Sequence, residues 1–204
     1  QILKSEPNNF NTLYLLGLIA FQTENYQKSA QIFEQAIKIK SNDPLVYNSQ
    51  AIAFIHDKNF KAAVESWDKA IEIKPDYVEA YYNRGNALLE LKQTRKAVES
   101  WDKAIEINPN YAEAYNNCGN ALLELNKIEE SIVYFNKVIE INPNYAEAYY
   151  NLGNALKNFK KLNEAVVNYT KAIQLKFENV GVYNNLGNVF LELQQPKKAL
   201  INYD

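Results

Sequence analysis

AEAYYNLGNALKNFKKLNEAVVNYTKAIQLKFEN, residues 146–179, contains two runs of about a dozen residues in which apolar and small side chains recur at three- and four-residue spacing. The pattern predicts a helical hairpin. Its first helix carries Tyr149, Leu152, Gly153 and Leu156 on one side, and its second carries Ala165, Tyr169, Ala172 and Ile173. A glycine in mid-helix costs about 1 kcal/mol against alanine, so Gly153 calls for a close approach of two helices.

Reading outward from this stretch, each of its marks returns every 34 residues. The glycine recurs as Gly17, Gly85, Gly119, Gly153 and Gly187, with Ala51 filling the gap, and the second-helix small residue as Ser29, Ala63, Ala97, Ser131, Ala165 and Ala199. A large aromatic follows at Phe33, Trp67, Trp101, Phe135, Tyr169 and Tyr203. Proline stands at Pro7, Pro75, Pro109 and Pro143, with Ser41 and Phe177 in its place elsewhere; it cannot continue a helix and turns the residue before it away from the helical region, so Asn108–Tyr111 and Asn142–Tyr145 are read as helix ends.

The four ladders held in register resemble the tetratricopeptide repeat family over the whole chain. The resemblance implies an all-α fold, a right-handed superhelix of antiparallel hairpins with the first helix of each pair (helix A) lining the concave side. Repeats are expected at 10–43, 44–77, 78–111, 112–145 and 146–179, with a truncated one at 180–204 and the end of a preceding one at 1–9. With no methionine and a start at Gln1, the chain reads as a piece of a longer protein, cut inside the array at both ends, whose targeting segments lie elsewhere.

What such arrays usually do is hold a partner protein, often as an extended peptide. The wall expected to do so carries asparagine two residues before the glycine, at Asn83, Asn117, Asn151 and Asn185, and one after it, at Asn86, Asn120, Asn154 and Asn188. Residues three apart share a helix face, and a carboxamide offers the donor and acceptor that a peptide backbone requires. A similar ladder lines the superhelix of protein O-linked N-acetylglucosamine transferases. The alternative is inherited surface polarity, since 28 residues are asparagine and duplicated repeats keep what their ancestor had. Glu79, Glu113 and Glu147 at the start of helix A and Glu90, Glu124 and Glu192 near its end, opposed mainly by Lys157, predict a mildly acidic groove; the first three also suit the helix dipole. The first two repeats depart, with Leu15, Leu18, Ser49 and Ile52 where asparagine stands later and Phe21 and Ile55 one turn on, which predicts an apolar groove end or a surface covered by upstream chain. The lysine clamp for a C-terminal carboxylate found in cochaperone members is excluded, because the rung three before the glycine reads Tyr14, Asn48, Tyr82, Asn116, Tyr150 and Asn184. Arg84 is expected to snorkel from the seam between helices.

Composition narrows the rest. The 204 residues hold 22 basic and 24 acidic side chains, a net charge of −2, which leaves no electrostatic footprint for nucleic acid. A mean hydropathy of −0.42 and no apolar run of about 18 residues argue against a membrane span. One cysteine, Cys118, and one histidine, His56, provide no disulfide, no zinc site and no catalytic pair; Cys118 is read as a seam filler, His56 as a helix-end surface residue, and Trp67 and Trp101 as core. The expectation is a non-catalytic scaffold without metal or cofactor, binding a neutral or basic protein segment, with a cytoplasmic location suggested by the free cysteine. Two alternatives stand beside it. One is a recruiting arm of a kinase or glycosyltransferase whose catalytic domain lies outside this sequence. The other is self-assembly into a homo-oligomer through the exposed array ends.

Overall fold

A computed structural model describes residues 9–203. The partial repeat expected at 1–9, with Pro7, lies outside them except for Asn9, whose side chain caps the first helix by accepting from the Thr12 amide. Among the described residues there are twelve helices and no strand. The chain divides into two compact units, up to Asn108 and from Pro109 onward. The first holds α1 (Phe10–Gln22), α2 (Tyr26–Ile39), α3 (Pro44–His56), α4 (Phe60–Ile73), α5 (Val78–Glu90) and α6 (Thr94–Ile107). The second holds α7 (Ala112–Glu124), α8 (Ile128–Ile141), α9 (Ala146–Asn158), α10 (Leu162–Gln174), α11 (Val180–Glu192) and α12 (Pro196–Tyr203). Consecutive odd and even helices pair as hairpins, and within each unit each hairpin packs on the next.

The glycine rung works as its position demands. A methyl group on Gly17 would fall 2.5 Å from the Phe33 ring, on Gly119 2.5 Å from Phe135, and on Gly153 2.6 Å from Tyr169, while on Gly85 it would overlap the Trp101 indole. All four rings are buried, so the aromatic of helix B lies against bare backbone of helix A. The small rung beside them is sealed as well, and the buried Ser29 hydroxyl donates to the Gly17 carbonyl at 2.8 Å.

Each hairpin turns on the same joint. Glu24, Lys58, Lys92, Asn126, Lys160 and Gln194 all have φ between 58° and 62°, the left-handed region. The amide after each reaches back to close the end of helix A, as Asn59 does to the Phe54 carbonyl and Gln93 to that of Leu88. Helix B ends differently. Asn108 and Asn142, which precede prolines, are extended. Lys40 has the same extended backbone (φ −137°, ψ 95°) before Ser41, so proline reinforces this geometry without being needed for it. Where Phe177 replaces proline, α10 stops at Gln174 and Lys176 takes φ 59°, a left-handed ending in place of an extended one.

Candidate functional site

The helix A faces carry the residues that sequence reasoning singled out, and the structure separates their two asparagine rows. In the second unit the row before the glycine stitches neighbouring hairpins together. Asn151 Nδ2 donates to Asn116 Oδ1 at 3.1 Å, and Asn116 Nδ2 donates to Glu147 Oε1 at 3.3 Å. Asn185 Nδ2 donates to Tyr150 Oη (3.3 Å) and to Asn154 Oδ1 (2.8 Å). Asn116 and Asn151 are buried, while Asn83, Asn117 and Asn185 are half-exposed. In the first unit the same positions of adjacent repeats meet as Tyr14 and Ser49, which share a hydrogen bond of 3.1 Å. The rung three before the glycine in one repeat thus bonds to the rung two before it in the next, with the later repeat donating in the two asparagine cases. This linkage spans 35 residues, and reading the ladders singly did not reveal it.

The row after the glycine faces the aromatic of its own hairpin. Asn86 Oδ1 accepts from Trp101 Nε1 at 3.2 Å and Asn154 Oδ1 from Tyr169 Oη at 2.8 Å, whereas Asn120 and Asn188 are exposed. Burial pushes the Tyr169 phenol well above its ordinary value, so it stays a donor.

Of the acids, Glu79, Glu90, Glu113, Glu124 and Glu192 are exposed and Glu147 is half-buried. Glu192 is neutralised by Lys160 at 3.0 Å, while Lys157, expected to oppose the acids, donates to Asn185 at 3.4 Å. The apolar set lies in the first unit. Leu15 is 54% exposed, and Leu18, Phe21, Phe33, Ser49 and Ile52 line a hollow of about 110 Å³, enough for one aliphatic side chain. Ile55 is half-exposed. α1 and α3, which carry this set, hold no acidic or basic residue except His56 at the end of α3.

His56 is exposed at that helix end, with its ring stacked on Tyr26 (4.8 Å between centroids) and edge-on to Phe21 (5.0 Å). Arg84 crosses the seam, its Nε 2.6 Å from Asp68 and Nη1 donating to Ser100 Oγ at 3.3 Å. Cys118, Trp67 and Trp101 are buried. Among the described residues no group of three or more His, Cys, Asp or Glu side chains is set to hold a metal, and no helix is long and apolar enough to cross a membrane.

This arrangement of hairpins agrees with the family comparison. The profile for the tetratricopeptide repeat matches residues 10–43, and that for the TPR repeat matches 53–92, 85–126, 119–158 and 160–194. The chain belongs to the tetratricopeptide repeat family. Among solved structures it is similar to YrrB, described as a TPR protein with an unusual peptide-binding site, at 23% identity over 85% of this chain and 89% of that one, with a TM-score of 0.74. MamA is similar at 23% identity over 75% and 90%, TM-score 0.73, and Pseudomonas aeruginosa PilF at 19% over 95% and 88%, TM-score 0.75. At these identities the likeness is one of fold. No curated protein matches it in sequence.

Proposed function

We propose that the chain is a non-catalytic scaffold whose helix A faces hold an extended, neutral or basic segment of a partner protein. The observation that carries this reading is the division of those faces. α1 and α3 offer an uncharged surface with a hollow sized for one side chain, α5, α7 and α11 offer carboxamides beside exposed glutamates, and α9 offers them beside the half-buried Glu147. Backbone recognition falls to the accessible carboxamides, Asn83, Asn86, Asn117, Asn120, Asn154, Asn185 and Asn188, while the buried Asn151 contributes by holding Asn116 in place. An aliphatic anchor of the guest fits against Leu15, Leu18 and Ile52. No reaction is assigned, since the His56 imidazole is engaged by two rings and the Cys118 thiol is sealed in the core. YrrB, of the same fold, is described with a peptide-binding site, which favours this use of the scaffold.

The test is a peptide array followed by calorimetry with Asn83→Ala plus Asn120→Ala, one change in each unit. At about 0.5–1.5 kcal/mol per hydrogen bond, each loss is expected to weaken a bound peptide roughly 2- to 12-fold. Unchanged affinity for every bound peptide removes the carboxamides from the mechanism. Ile52→Asp is expected to abolish binding of peptides with an aliphatic anchor and to spare those without one.

A further inference from the structure

A different surface, independent of the helix A faces, breaks a local electrostatic rule. In the hairpins α3–α4 and α5–α6 the turn and the first turn of the second helix carry Lys58, Lys61, Lys92, Arg95 and Lys96. Both turns lie at the same end of antiparallel helices packed side by side, and all five side chains are exposed. Among the described residues, none of the five has an ion-pair partner within 4.0 Å. Four other lysines of the same unit do, in the pairs Lys38–Glu34, Lys40–Asp43, Lys69–Glu72 and Lys103–Glu106.

The second unit shows what a self-sufficient version of this edge looks like. There Lys127 pairs with Glu130, Lys161 with Glu164 and Lys160 with Glu192. Glu130 and Glu164 occupy the repeat position held by Ala62 and Lys96 in the second and third hairpins. They also place acid in the first turns of α8 and α10, where the amide ends of the helix favour it; α4 and α6 have none. The acids close to this edge in sequence, Asp57 and Glu90 at the ends of α3 and α5 and Glu65 and Glu99 one turn into α4 and α6, form no ion pair with the five cations. Cations gathered at two helix N-termini repel the backbone's partial positive charge; at α4 the Asn59 side chain accepts from the Ala62 amide, α6 has no side-chain cap, and no carboxylate of the described residues pairs with the five cations.

We propose that this edge, formed by Lys58, Lys61, Lys92, Arg95 and Lys96, docks an acidic segment of a partner protein. Carboxylates there meet five unpaired cations and the two helix ends at once, which is what the second unit obtains from its own glutamates. The attraction acts between exposed groups, so it is steep in salt and contributes mostly to the rate of encounter.

The probe is a fluorescein-labelled deca-glutamate peptide titrated with the full chain, read by anisotropy at about 20 mM and about 150 mM salt. Arg95→Glu plus Lys96→Glu, which copies the pattern of the second unit, is expected to weaken binding at low salt at least about tenfold. Lys127→Gln, at an already paired site, and Asn83→Ala plus Asn120→Ala, on the helix A faces, are expected to change it by less than about twofold. Circular dichroism confirms that the doubly reversed variant is folded; its exposed, unpaired side chains give it no reason to be otherwise. Equal binding by that variant, or tighter binding of a DNA duplex than of the peptide, overturns the proposal. So does light scattering in which the chain associates with itself at low salt and the double reversal prevents it, because the acidic partner is then a second copy.

Discussion

In the second hairpin Ala51 faces Trp67, and in the third Gly85 faces Trp101, and the two indoles find different partners. Trp67 Nε1 donates to Asn48 Oδ1 at 2.8 Å, three residues before the alanine. Trp101 Nε1 is the atom nearest to where a Gly85 side chain would begin, and it is shared between the Tyr82 carbonyl at 3.1 Å and Asn86 Oδ1 at 3.2 Å. Both rings are buried. The two helices A also offer different acceptors, Asn48 where the third hairpin has Tyr82 and Ile52 where it has Asn86, so the partner of the indole hydrogen follows the neighbouring side chains as well as the small residue beneath the ring.

Exchange of the small residues breaks this comparison most directly. Gly85→Ala drives a methyl into a rigid buried ring and is expected to cost about 1–3 kcal/mol in urea denaturation. Ala51→Gly only loosens a helix interior, at about 0.5–1 kcal/mol. Equal losses would show that the ring sits no deeper over Gly85 than over Ala51.

The rung also varies in its ring, and Tyr169 against Phe135 sharpens the same point with a hydroxyl. Burial holds the Tyr169 phenol above its unfolded value near 10, so the folded chain keeps a proton that the unfolded chain releases. The resulting stabilisation is complete below about pH 10 and is lost as pH rises through the folded value, so stability should fall more steeply above pH 10 in the native chain than in Tyr169→Phe. Denaturation midpoints measured for both from about pH 8 to pH 11 provide the check; parallel curves would mean that the phenol is reached by water.

The smallest effect is expected at the joints between helices. Glu24→Gly relieves a left-handed residue with a side chain and should stabilise by up to about 1 kcal/mol, and Asn126→Gly by less, because asparagine tolerates that region. Thermal midpoints of the two variants give the order.

What the amino-acid sequence disclosed was whatever depends on one residue and its own hairpin. Gly153 against Tyr169, Arg84 in its seam and the sealed Cys118 follow from size and periodicity within about 16 residues of chain. The stitches between Asn116 and Asn151 and between Tyr150 and Asn185 did not emerge, because they join unlike rungs of neighbouring repeats and depend on how far one helix is shifted along the next. The left-handed joints were equally silent, since glutamate, lysine and glutamine carry no mark of that conformation and the backbone closure alone imposes it. Lys160 reached Glu192 across 32 residues for a similar reason, by adjacency of turns that no single repeat displays.

Those six joints hold their shape through main-chain amides and carbonyls, with side chains directed at solvent. The outermost corners of the molecule are therefore free to drift from acid to base to amide without any renegotiation inside, and two neighbouring copies of one ancestral hairpin can acquire opposite tastes in company while remaining interchangeable as building blocks.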